Sequence, residues 1–182
     1  MSTMTLMPRD HAWTVDDLAA LPDDGLRYEL VDGTLLVSAA PSKLHQRALG
    51  NLYVLLRAAC PDDLEVFLAP TDYQPTRTRS LQPDLLVVAR SDPGTAAVTT
   101  PLALAVEVLS PSSRSIDRLL KRDLYEQAGV EQYWVVDPDE PSITVWRRGP
   151  EGFDAPQTVT GSERLELSGP LTLAVVPLDL LR

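Results

Sequence analysis

Along most of the chain apolar positions either alternate or fall in short unbroken runs, the two patterns of half-buried and fully buried strands, and only a few stretches carry helical spacing. "LRYELVDGTLLVSAA" (26–40) holds two strand-like runs around Asp32-Gly33, a dipeptide suited to a two-residue hairpin turn, and its alternation predicts one exposed face. Before it, "TVDDLAAL" (14–21) predicts a short helix with Thr14 as cap and acids in the first turn, ended before Pro22. Ser42 caps a longer helix through Ala59, with Leu44, Ala48, Leu52, Leu55 and Leu56 as its apolar face and Pro61 helping to stop it. Strands follow at "LEVFLAP", "LQPDLLVVA" and "LALAVEVL", the first two joined by the polar, arginine-bearing connection "TDYQPTRTRS". A third helix runs between Ser112 and the capping Gly129, then "EQYWVVD" forms a strand closed by the turn "DPDEPS". The tail, "ITVWRRG", "ERLEL" and "LTLAVV", predicts an antiparallel extension or edge of the main sheet.

The 182 residues, 44% of them hydrophobic, suffice for one sizeable core, so one domain over 1–182 is expected. A net charge of -10 argues against a broad basic face for nucleic acid but leaves room for a local cleft of Arg and Lys. The single cysteine, Cys60, excludes an internal disulfide and a thiolate zinc site and points to a reducing compartment. With no signal-like N-terminus and no apolar run of the roughly 20 residues that span a bilayer, a cytoplasmic protein without membrane contact is expected. The apolar C-terminal segment "LTLAVVPLDLL" makes a homodimer the expected assembly.

The chemistry concentrates around "PLALAVEVLSPSSRS", where Glu107 interrupts an apolar run. Its neighbours Val106 and Val108 point to one face while Ala105 and Leu109 share its own, so neither face is solvated and the charge needs an offset. A metal ion is one; a buried ion pair with Arg or Lys is the other. Asp84, in the Pro-Asp corner opening an apolar strand, converges on Glu107 if the two strands are neighbours, although Pro-Asp is also an ordinary turn. Two carboxylates with the Val108 carbonyl suit Mg²⁺ or Mn²⁺. On the third helix, Ile116, Leu120, Leu124 and Ala128 form an apolar stripe with Asp117 and Lys121 within or beside it. Lys121 therefore leans toward the sheet or pairs with Asp117 at i,i+4.

The ordered set "YELVDG", "PSKLHQ", "QPDLLVV", "LAVEVLSPSSRSIDRLLK" and "GVEQYWVVDP", from Tyr28 to Pro138, resembles the bacterial Uma-two family of restriction endonucleases, a branch of the PD-(D/E)xK nuclease superfamily. The resemblance implies an α/β (α+β) restriction-endonuclease-like fold: a mixed central sheet flanked by helices, with the Asp and Glu strands adjacent. In that layout the core spans about 27–138, the N-terminal hairpin precedes the central strands, and a C-terminal β extension covers about 142–182. It also implies divalent-metal hydrolysis of phosphodiesters in nucleic acid, DNA foremost. Asp84 and Glu107 match the two acids of the pattern, whereas the usual lysine position is Leu109 and the matching lysine is Lys121 on the following helix. Glu29 matches the upstream acid and His45 a recurring His at the start of the long helix. The plainer alternatives are a solvent-facing hairpin residue for Glu29 and a helix-surface residue for His45. Gln82, Ser110 and Tyr125 also match but are left outside the catalytic set.

The expected mechanism has Asp84, Glu107 and the Val108 carbonyl binding Mg²⁺ or Mn²⁺, with Lys121 beside the attacking water and Glu29 fixing the lysine or binding a second ion. Two close carboxylates repel, so without metal one of them is expected to have a raised pKa and metal binding to release protons. Arg77 and Arg79 of "TRTRS" are candidate phosphate contacts, against the alternative of a solvated loop. Two rival readings stay open: a noncatalytic binding or assembly module, and a hydrolase of smaller phosphodiesters.

Overall fold

The computed structural model describes residues 5–7, 11–22, 24–38, 41–110 and 120–182. The chain begins with β1 (Thr5–Met7), α1 (Val15–Ala19), the hairpin β2 (Arg27–Val31) and β3 (Thr34–Ser38), and α2 (Lys43–Ala59). Next come β4 (Leu64–Leu68), β5 (Tyr73–Thr76), β6 (Arg79–Leu81), β7 (Leu85–Ala89) and β8 (Leu104–Val108), then α3 (Lys121–Gln127). The rest is β9 (Gln132–Asp137), β10 (Ser142–Gly149), β11 (Gly152–Phe153), β12 (Gln157–Thr160), β13 (Leu165–Leu167), β14 (Leu173–Val175) and a 3-10 turn over Pro177–Leu181.

The larger sheet has the order β11-β10-β9-β8-β7-β4, with β12 also on β10, and is mixed: β8 runs antiparallel to β7 and parallel to β9. Every residue of β8 and β9 is buried, the outcome of near-continuous apolar runs covered on both faces. One face packs Leu85, Val87, Val106 and Val108 against Ala48, Leu49, Leu52 and Leu56 of α2. The other packs Leu86, Val88, Ala105, Leu109 and Val135 against Leu124 and Tyr125 of α3 and against Val31, Leu36, Tyr73 and Leu81 of a second sheet, ordered β1-β3-β2-β6-β5. Of the tail, expected as an antiparallel extension of the main sheet, β10 pairs antiparallel with β9, whereas β13 and β14 form a separate two-stranded sheet whose Leu165, Leu167 and Val175 enter the α2-side core.

Local signals explain the element ends. Thr14 and Asp17 form a capping box at α1, and Ser42 Oγ accepts the His45 amide at 3.2 Å to start α2. Asp32 (φ 45°) and Gly33 (φ 81°) both take the positive φ of a type I′ hairpin turn.

Four expectations shift. The hairpin face read as exposed is covered, because β2 lies between β3 and β6 over the main sheet; Glu29 is buried. The polar connection 71–80 is itself the strand pair β5 and β6, carried by buried Tyr73 and by Arg79, whose guanidinium is tied to Asp32. On α2 the buried side is His45, Ala48, Leu49, Leu52 and Leu56, while Leu55 is exposed. On α3, Lys121, Leu124 and Tyr125 face inward and Leu120 outward, a turn of about 50° from the expected stripe, with Leu124 common to both. Ser112, Ile116 and Asp117, named for the start of that helix and for the i,i+4 alternative, lie outside the described residues. The C-terminal segment proposed for a homodimer lies largely in the chain's own core, with Leu171, Val175, Pro177 and Leu180 buried. No helix among the described residues is long and apolar enough to cross a membrane.

Candidate active site

Leu85 of β7 faces Val106 of β8, so the register carried one step further sets Asp84 opposite Glu107. Residues paired across antiparallel strands project to the same side, and two adjacent strands thereby present two carboxylates at one end of the sheet. β2 adds a third from the second sheet: Glu29 stands two residues after Arg27, on the same strand face. α3 supplies Lys121 and, one turn on, Tyr125. From the first turn of α2, His45 reaches the same place.

The side chains form one bonded cluster. Lys121 Nζ donates to Glu107 Oε1 at 2.9 Å and lies 2.9 Å from Glu29 Oε1 and 3.1 Å from Glu29 Oε2. Tyr125 donates its hydroxyl to Glu107 Oε1 at 2.7 Å. Asp84 accepts from Arg27 Nη1 at 2.9 Å, from His45 Nε2 at 3.0 Å and from the Val108 amide at 2.8 Å. An ionised carboxylate only accepts, so His45 Nε2 carries the proton in that bond. The Gln82 amide donates to Glu29 Oε1 at 2.9 Å. Glu29, Asp84, Glu107 and Lys121 are all nearly sealed from solvent, with side chains 1–3% exposed.

Electrostatics follow from these contacts. Burial pushes the Asp84 carboxyl up, but the His45 hydrogen bond, the Arg27 charge and the Val108 amide together hold it at about 2. Burial likewise opposes ionisation of Glu29, and Lys121, Arg27 and the Gln82 amide pull its pKa below the ordinary value. Burial, with the Glu107 and Glu29 charges, drives the Tyr125 hydroxyl well above its ordinary range, so it stays a donor. Of the two carboxyls for which a raised pKa was expected, Asp84 is instead lowered. Two cations already sit among the acids and keep them ionised.

Sequence reasoning named Glu29, Asp84, Glu107, Lys121 and His45, and the fold brings all five together. The ion-pair alternative for Glu107 is also present in full, through Lys121. Arg77 and Arg79 are placed elsewhere: Arg77 is 75% exposed and pairs with Asp16, while Arg79 is buried on Asp32, the Leu124 carbonyl and Gln127. Arg27 was missed, although its two-residue spacing from Glu29 marked it as sharing that face. Tyr125, left out of the catalytic set, is marked by its i,i+4 spacing from Lys121.

Among the described residues no group of three or more His, Cys, Asp or Glu side chains forms a ready-made metal site. Mg²⁺ needs less, one or two carboxylates completed by water and substrate phosphate. Asp84 and Glu107 fit that requirement, because one guanidinium already spans them, Arg27 Nη1 on Asp84 and Nη2 3.7 Å from Glu107 Oε2. A cationic position between two carboxylates is thus built into the fold, with oxygen donors that suit a hard ion.

A family model, Uma2, described as "Putative restriction endonuclease", matches residues 15–179. A solved structure of a putative nuclease belonging to DUF820, from Anabaena variabilis, superposes with a TM-score of 0.76 at 18% identity, covering 92% of this chain and 97% of that one. No curated protein matches the chain.

Proposed function

The chain belongs to the Uma2 family, described as putative restriction endonucleases, and from that membership and the buried cluster we propose that it is a divalent-metal-dependent endonuclease hydrolysing phosphodiester bonds, with DNA as substrate. The observation that carries this is the convergence of Asp84, Glu107 and Lys121, from β7, β8 and α3, at one end of the central sheet. Asp84, Glu107 and the Val108 carbonyl would hold Mg²⁺ or Mn²⁺. Such an ion, when bound, supplies Lewis-acid polarisation of the scissile phosphate and a bound water of lowered pKa.

The chain's own residues do the rest by position and charge. Lys121, fixed between Glu29 and Glu107, offers a buried ammonium to offset charge developing on the phosphate oxygens. Glu29 aims that lysine; His45 aims Asp84 through Nε2; Tyr125 aims Glu107. The last three are positioning residues.

The test is cleavage of plasmid, linear duplex, single-stranded DNA and RNA with Mg²⁺ or Mn²⁺ by wild type, Asp84→Ala, Glu107→Ala and Lys121→Ala. Each substitution is expected to lower the rate by at least about 100-fold. Activity that survives all three would remove this site from the reaction. A second reading, a noncatalytic module of the same fold, is favoured by the satisfied state of the acids, since Glu29, Asp84 and Glu107 all have basic partners without metal. Under that reading Mn²⁺ leaves the melting temperature unchanged, whereas a metal site raises it, by about 2.7 kcal/mol of stabilisation at a hundred times the Kd.

A further inference from the structure

We propose that Arg27 is the resident counter-cation of the acidic cluster and competes with the divalent ion for Asp84 and Glu107, so that metal entry and Arg27 withdrawal are one exchange. This rests on the metal-binding reading above.

Two observations single out Arg27. Its guanidinium lies among all three acids: Nη1 is 2.9 Å from Asp84 Oδ1, Nε 3.7 Å from Glu29 Oε2 and Nη2 3.7 Å from Glu107 Oε2. Only the first of those contacts is a hydrogen bond, and Nε and Nη2 are buried donors with no hydrogen-bond partner. The side chain is therefore held chiefly by charge, and a better cation can replace it at the loss of one bond. The second observation is access. Its side chain is 25% exposed, against 2% for Lys121, which is bonded to Glu29 and Glu107 at 2.9 Å each. Lys121 is locked in, whereas Arg27, the first residue of β2, keeps part of its side chain in contact with water.

The experiment compares Mn²⁺ binding by calorimetry in wild type and Arg27→Gln, each with and without Asp84→Asn as the control for the site. Arg27→Gln is expected to bind Mn²⁺ about tenfold more tightly, a coupling ordinary for competing occupants. Equal or weaker affinity, with binding still abolished by Asp84→Asn, would leave the metal site standing and overturn the competition. No Mn²⁺ binding in either protein would overturn both. Should Arg27→Gln not fold, the wild-type protein answers alone: the Arg27 Nε–H signal in a ¹⁵N spectrum should shift as Mg²⁺ saturates the site. A signal that stays put while Mg²⁺ binds overturns the proposal.

Discussion

Asp84 draws three donors onto one carboxylate, and its pKa sits at about 2, below the ordinary 3.8. A depressed folded-state pKa means that the unfolded chain takes up the proton first on acidification. The contribution is thus fully present above about pH 4 and is lost as pH falls through 2. A shift of this size corresponds to about 2 kcal/mol. In metal-free buffer, urea midpoints measured from pH 5 to pH 2 should fall steeply for wild type and more shallowly for Asp84→Asn; parallel curves would mean that the three donors do not stabilise the ionised form. At this scale Glu107 was the most legible residue, because apolar neighbours on both faces forced its burial. Arg27 was hidden because alternation along β2 shows that two faces differ but not which layer covers each. Glu29 was recovered only through family resemblance, for the same reason.

At the scale of elements, the hairpin of β2 and β3 delivers both Arg27 and Glu29, and its turn leaves little freedom. Gly33 has φ 81°, and a Cβ added there would stand 2.7 Å from Ala12 Cβ. The turn itself is further tied by the Gly33 amide to the Thr78 carbonyl and by the Trp13 amide to the Gly33 carbonyl. Gly33→Ala should therefore cost at least the roughly 1–2 kcal/mol of a left-handed non-glycine residue, with the clash in addition. Thermal melts read this directly, and an unchanged melting temperature would contradict the turn geometry. Asp32-Gly33 announced that turn in the sequence, as Ser42 announced α2. The β5 and β6 pair did not announce itself, because its burial is polar: Arg79 enters the interior on the strength of Asp32, Gln127 and the Leu124 carbonyl, partners up to 48 residues away in sequence. A pattern of hydrophobic positions cannot register a strand held by long-range charge. The rotation of α3 has the same origin, since its buried side is set by Lys121 and Tyr125 bonding Glu107, where apolar spacing alone favoured Leu120.

Over the whole molecule, 26 acidic side chains against 16 basic ones set how nucleic acid could approach. Long-range steering repels a polyanion, and the two arginines with the best sequence case for phosphate contact are engaged, Arg77 with Asp16 and Arg79 with Asp32. With acids outnumbering bases, affinity should come from a bound ion joining the acids to one phosphate and from few direct contacts. Duplex DNA binding measured with Ca²⁺, which occupies oxygen sites, should then vanish on chelation at physiological salt. With Ca²⁺ present, log K against log salt should be shallow, no steeper than about −3, because each neutralised phosphate contributes about −0.9. A slope near −6 that persisted in EDTA would require an extended basic track and would separate DNA binding from the acidic cluster altogether. A shallow slope lost in both Asp84→Ala and Glu107→Ala would tie the grip on DNA to the two carboxylates that the central strands bring face to face.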